Sequence, residues 1–273
     1  MRIGFVGDVV GKPGREMLKE HLQGLKFRER LDVLIANGEN ASHGFGMTAS
    51  AVQELLDSGV DVITGGNHSW DRKEILTLLE SGTLPILRPL NYPQTAPGSG
   101  IGIYQIANET LAVVNIMGHF MMPLVDNPFT LALSAVKKLR KQGIRHIFVD
   151  FHAEATSEKR AMFWLLSGHA SAVVGTHTHI GTDDLEIANG TLGLSDAGAC
   201  GCMDGVLGFE KENVCERFTS GIPRALQIPT KCTKILPLIV CETNSEGRCV
   251  LGYKMRVIDS GAPEILLQAY SYD

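Results

Sequence analysis

No stretch of this 273-residue chain approaches the ~18 consecutive apolar residues of a membrane-spanning helix, and no run of lysine or arginine occurs. The first absence argues against a membrane partner. The second, with a net charge of −5, argues against a non-specific nucleic-acid groove. Met1-Arg2-Ile3-Gly4-Phe5-Val6 enters a strand pattern at once and leaves no room for a signal peptide, so a cytoplasmic protein is expected. The C-x-x-C spacing of common zinc and redox motifs is missing. All six cysteines lie between Cys200 and Cys249, and reduced, mostly buried thiols are expected of them. No G-x-G-x-x-G opens the first helix. A phosphate loop fails in Gly7-Asp8-Val9-Val10-Gly11-Lys12, because Val6 stands where the first glycine should be and Pro13 replaces the Ser/Thr.

What the chain does have is core. Apolar residues make up 44% of it and the mean hydropathy is +0.06. Over the first two thirds, β-branched apolar runs alternate with helical patterns. Strands are predicted at Arg2–Gly7, Asp32–Ala36, Asp61–Thr64, Ile101–Ile106, Leu111–Ile116, Ile144–Phe151 and Ala172–Gly175. Helices are predicted at Gly14–Leu25, Ala49–Ser58 (behind Thr48, stopping at Gly59), Trp70–Leu79, Pro128–Gln142 (capped by Asn127) and Ser157–Ser167. Near-continuous apolar strands such as Val33-Leu34-Ile35-Ala36 imply a sheet covered on both faces. The carboxyl third reads as further strands with turns such as Asn189-Gly190, implying a second and mostly antiparallel sheet. Together these give an α/β protein with α/β/β/α layering around two central sheets in one domain, residues 1–273. The connection Ala199–Ile228 is unusually long, and such loops are often functional.

Short polar motifs follow directly on the strand patterns: Gly7-Asp8, Asn37-Gly38-Glu39-Asn40, Gly65-Gly66-Asn67-His68, Phe151-His152-Ala153-Glu154 and Gly175-Thr176-His177-Thr178-His179. The loops at the carboxyl ends of strands converge where ligands bind. Alone, Asp8 would be a turn or cap residue, Asn67 a turn residue, and His68 or His152 a surface or core histidine. Glu39 is harder to dismiss, since a turn needs Asn37-Gly38 but not the Glu. His177 and His179, two apart in an extended segment, would point to one side. Carboxylate, amide and imidazole donors without thiolate suit Fe, Mn or Zn. One carboxylate joining two ions would make a hydrolytic two-metal site.

This order of motifs resembles the calcineurin-like metallophosphoesterase superfamily, and within it the YmdB-like bacterial phosphodiesterases, which use Gly-Glu-Asn where most relatives have Gly-Asp. The resemblance covers essentially residues 1–265. It implies a sandwich fold, a dinuclear Fe or Mn centre, and hydrolysis of phosphodiesters, with 2′,3′-cyclic nucleotides or RNA ends as the substrate class. Carried over by motif, Glu39 bridges the ions. Asp8, Asn40 and His179 serve the first ion, and Asn67, His152 and His177 the second. His68 is the general acid, giving its proton to the leaving oxygen as a hydroxide between the ions attacks phosphorus. Two departures stand out. The usual Asp-x-His of the first motif is Asp8-Val9-Val10 here, with Asn40 the substitute. His119, in Met117-Gly118-His119-Phe120, stands where relatives carry Arg, and reads equally as a substrate contact or a structural residue. Asp71 reads as a helix N-terminal acid rather than a partner of His68. Lys211, Arg217 and Arg224 read as surface charge. Competing readings are a phosphatase acting on monoesters or phosphoproteins with the same centre, and a regulatory binding protein with little turnover. A homo-oligomer is compatible with all three.

Overall fold

The structure, a computed structural model, describes residues 1–272. Two seven-stranded sheets lie face to face. The first contains β1 (Arg2–Val6), β2 (Val33–Asn37) and β3 (Val62–Thr64); the second contains β4 (Ile101–Ile106), β5 (Glu109–Met117), β6 (His146–His152), β7 (Ala172–Thr176), β8 (Glu186–Ala188) and β9 (Thr191–Leu194). The first is completed by β10 (Gly201–Cys202), β11 (Lys234–Thr243), β12 (Cys249–Ile258) and β13 (Glu264–Gln268), the second by β14 (Tyr270–Tyr272). The strand order in the first sheet is β13-β12-β11-β1-β2-β3, with β10 beside β11; in the second it is β14-β8-β9-β7-β6-β5-β4. The amino-terminal strands β1, β2 and β3 run parallel, as do β5, β6, β7 and β9.

Three apolar layers hold these sheets. Between them, Ile3, Phe5, Val33 and Ile35 of the first face Leu111, Val113, Phe148 and Val174 of the second, and the rings of Phe5 and Phe148 have centroids 5.0 Å apart. Burying each such side chain contributes roughly 1.5–3 kcal/mol. Helices α1 (Gly11–Arg28), α2 (Ala49–Asp57) and α3 (Glu74–Ser81) cover the outer face of the first sheet through Met17, Leu22, Leu55 and Ile75. Helices α4 (Pro128–Lys141) and α5 (Thr156–Leu166) cover the second through Val136, Leu139, Met162 and Leu166. The α/β/β/α layering is thus present. Local signals behave as their chemistry dictates. Thr48 accepts a hydrogen bond from Ala51 N at the start of α2, and Asn127 accepts from Phe129 N and Thr130 N ahead of Pro128. Asn189 and Gly190 both take positive φ in the β8–β9 turn.

Three expectations need correction. The carboxyl-third strands form no sheet of their own: β8, β9 and β14 join the second sheet and β10–β13 the first, so both sheets are mixed. Partner choice is set by long-range register, which a local pattern does not encode. Helix α3 starts at Glu74, not Trp70, because the segment before it is held in turns. The cysteines are not all reduced. Cys202 and Cys232 form a disulfide with a Cα separation of 5.6 Å, fastening the long connection, which also carries a helix, α6 (Lys211–Ser220). Cys200, Cys241 and Cys249 are free and buried; Cys215 is free and exposed. Among the described residues no helix is long and apolar enough to cross a membrane. Alkylation of unreduced, denatured protein is expected to label four thiols, those of Cys200, Cys215, Cys241 and Cys249. Labelling of all six would show that the bridge does not form.

Candidate metal centre

The carboxyl ends of β1, β2, β3, β6 and β7 open onto one edge of the sandwich, and the loops leaving them carry the polar motifs. Asp8 and Glu39 are fully buried there. Around them the side chains fall into two groups. In one, His152 Nε2 lies 2.9 Å from Asn67 Oδ1, 3.1 Å from Glu39 Oε1 and 3.1 Å from His177 Nδ1. In the other, His179 Nε2 lies 3.2 Å from Asn40 Oδ1 and 3.9 Å from Asp8 Oδ1. The sequence-predicted residues Asp8, Glu39, Asn40, Asn67, His152, His177 and His179 are therefore brought together. His68 lines, with Glu39, Asn40, His177 and His179, a cavity of about 220 Å³ whose wall includes Phe45, Leu207 and Phe209. Its backbone N–H donates to Glu39 Oε2 at 3.2 Å.

These residues fit a cation. Glu39, His152 and His177 each offer a ligand atom, all within 4.8 Å of one another. Asp8 Oδ1 is buried with no hydrogen bond, and the equally buried Glu39 Oε1 faces the His152 ring nitrogen at 3.1 Å, an arrangement costly for two ionised carboxylates unless positive charge answers it. Gly66 keeps the space open. A Cβ there would collide with Glu39 Oε2 and His152 Nε2. Without a metal, protons respond to the same charge. Burial works against the His152 imidazolium, yet Glu39, Asp8 and Asp150 push its pKa up to about 9. Burial would raise Glu39, but His152 holds it at about 2. Burial and the neighbouring His152 push His177 down to about 3. Burial raises Asp8, with His179 and His152 opposing. A proton on His152 does here what a cation would do, and metal ligation requires that imidazole neutral.

A buried network sets the ring of His152. Its Nδ1 lies 3.0 Å from Thr176 Oγ1, and that hydroxyl donates to Asp150 Oδ1 at 2.7 Å. Asp150 Oδ2 accepts from Asn37 Nδ2 at 2.9 Å and from the Thr64 hydroxyl, so one carboxylate ties β6 to β7, β2 and β3. Burial raises Asp150 to about 6 despite these donors.

Some parts of the site depart from the sequence reading. His177 and His179 are not in an extended segment: β7 ends at Thr176, and the two take φ of 97° and 65°. They belong to a strained turn, of the kind that clusters at functional sites. Asp71 does pair with His68, its Oδ2 lying 2.8 Å from His68 Nδ1. The spacing of three residues was the available signal, outweighed by the Asp71 position near a helix start. Glu154, its Oε2 3.0 Å from His177 Nε2, had no role assigned. Nor did the aromatic wall, where Phe45 packs edge-on to His68 and stacks on Phe209. His119 is exposed and contacts its own loop. Its Nε2 lies 3.1 Å from the carbonyl oxygens of Val125 and Asp126. Arg224 pairs with Glu216 on the surface.

Residues 5–251 match the family model described as YmdB-like protein. The chain belongs to this family. It is 45% identical over 225 residues to the 2′,3′-cyclic-nucleotide 2′-phosphodiesterase of Bacillus subtilis (strain 168), covering 82% of this chain and 84% of that protein. A crystal structure of a hypothetical protein from Thermus thermophilus superposes with a TM-score of 0.85 at 36% identity, over 98% of this chain and 100% of that one. The crystal structure of a novel phosphatase from Mycoplasma pneumoniae gives 0.88 at 29% identity, over 94% and 93%. Family membership and the two mixed sheets agree with the calcineurin-like fold expected from the motifs. The Asp150 network generates a stability test. Asp150→Ala removes the acceptor shared by the Asn37 amide and the Thr64 and Thr176 hydroxyls in the interior, and should lower unfolding stability by about 3 kcal/mol, read as a lower denaturant midpoint. An unchanged midpoint would contradict the structural role given to this carboxylate.

Proposed function

We propose that this protein is a metal-dependent phosphodiesterase that hydrolyses 2′,3′-cyclic nucleotides, using two transition-metal ions, iron or manganese ahead of zinc. Glu39 would serve both ions; Asp8, Asn40 and His179 would hold one, and Asn67, His152 and His177 the other. The observation that carries this reading is the gathering of these donors within hydrogen-bond or ion-pair distance of one another at the strand ends, where the buried Asp8 Oδ1 lacks a hydrogen bond. The activity for which the B. subtilis relative is named supports the substrate class. Two cations bound here supply charge neutralisation for the phosphodiester and a water acidic enough to attack phosphorus at neutral pH.

The rest is the work of the chain. His68 presents Nδ1 to Asp71, which fixes its ring and leaves Nε2 to protonate the departing ribose oxygen. Glu154 beside His177 Nε2 fixes which nitrogen of that ring turns to the centre. Phe45, Leu207 and Phe209 give the cleft an apolar wall that keeps water from that side. The name of the M. pneumoniae structure favours a second reading, a phosphomonoesterase with the same centre. Comparing bis- and mono-p-nitrophenyl phosphate separates the two, and preferential cleavage of the monoester would replace the first reading by the second.

Two outcomes test the roles. Glu39→Gln, whose amide neither bridges nor neutralises two cations, should lose bound metal and all measurable turnover; full activity would remove Glu39 from the centre. His68→Ala should keep both ions yet lose about 10²–10⁴-fold in kcat on 2′,3′-cyclic AMP. The loss should be much smaller on a diester that expels p-nitrophenolate, which needs little protonation. Equal losses on both substrates would assign His68 to positioning instead.

A further inference from the structure

The turn that carries His177 and His179 is held by a charged pair that touches neither. Lys159 of α5 is buried, and its Nζ donates to Asp196 Oδ2 at 2.7 Å. Asp196, equally buried, spends both oxygens on this region. Oδ2 also accepts from Thr178 N at 3.2 Å and Thr178 Oγ1 at 2.7 Å, while Oδ1 accepts from Gly198 N at 2.8 Å. Lys159 Nζ lies a further 3.4 Å from Thr178 Oγ1. Thr178 is the residue between two histidines whose φ values, 97° and 65°, are costly for a side chain with a Cβ. Such a conformation persists only when its surroundings over-determine it, and here both hydrogen-bond donors of the intervening residue are bound to one carboxylate oxygen. Packing agrees. A Cβ on Gly175 would collide with Ser195 O and lie 3.0 Å from Lys159 Cδ, so this glycine of Gly175-Thr176-His177 makes room for the Ser195 carbonyl beside the lysine stem.

From this geometry we infer that Lys159 and Asp196 are positioning residues of the metal centre: they lock the His177-Thr178-His179 turn so that one short segment presents one imidazole to each ion. Lys159 cancels the charge of Asp196 inside the protein, which keeps that carboxylate engaged with Thr178. Lys159 also joins the two histidine-bearing segments, because α5 begins just after His152 while Thr178 lies beyond β7. The inference rests on the reading of His177 and His179 as ligands.

The test measures metal retention by the holoprotein in competition with a chelator, for the parent, Lys159→Met, Thr178→Val and the double variant. The unfolding midpoint of each metal-free form is measured beside it. Lys159→Met should weaken retention of both ions together, by about 10–100-fold, as loss of a group supporting metal ligands typically does. Thr178→Val should weaken both by a smaller factor. Acting through one carboxylate, the two changes should be non-additive, the double variant scarcely worse than Lys159→Met. If Lys159→Met fails to fold, Thr178→Val, which removes only a hydroxyl, decides alone: weaker retention of both ions at an unchanged midpoint supports the lock. Retention like the parent's overturns it, as do additive losses or loss of one ion only. A parent protein that binds no metal would instead sink the ligand reading.

Discussion

Two carboxylates, Asp8 and Glu39, lie fully buried where the strand ends of two sheets meet; Asp8 keeps one oxygen without a hydrogen bond, and Glu39 Oε1 faces His152 Nε2 at 3.1 Å. Burying ionised groups costs several kcal/mol each unless a counter-charge is supplied in good geometry. Much of the surrounding architecture answers that constraint. The nearest imidazole, His152, is drawn to its protonated form up to about pH 9, and Glu39 remains ionised down to about 2. A second ring of groups aims the first. Thr176 and Asp150 set the His152 ring, Glu154 faces His177, and the Leu207 carbonyl lies 2.9 Å from His179 Nδ1.

The sandwich explains why these charges can be gathered at all. Each sheet is covered by helices on its outer face and by the other sheet within, so the strands are largely apolar, and polar residues such as Asn37, Asp150, His152 and Thr176 gather toward their carboxyl ends. Asn37 and Asp150 stitch the sheets together beneath the cleft. The cleft therefore rests on β-structure, while the groups that would meet a substrate, His68, Phe45 and Leu207, sit on loops.

Much of this was readable from the chain, and the reasons differ by residue. Asp8, Glu39, Asn67 and His152 each follow an apolar run, so their gathering at one sheet edge comes from strand direction alone. Thr48, Asn127 and Asn189-Gly190 work through hydrogen bonds within a few residues, which local sequence encodes. The division of the late strands between two sheets was not readable, because register is decided between residues as distant as Phe5 and Ile239. The Cys202–Cys232 bridge escaped for the same reason, since it depends on β10 lying against the start of β11. Lys159 and Asp196 escaped because a lone Lys in a helix reads as solvated; only folding brings an acid to it. The strain at His177 and His179 is invisible in a motif that looks extended.

If the buried negative charge at Glu39 is shared by two cations, as proposed, both must sit beside its carboxylate. Anomalous diffraction from crystals of anaerobically purified protein, collected at the iron and manganese edges, tests this most directly. The account predicts two peaks per chain roughly 3.5–4 Å apart, one on each side of the Glu39 carboxylate. A single peak, or two that do not share Glu39, would contradict it.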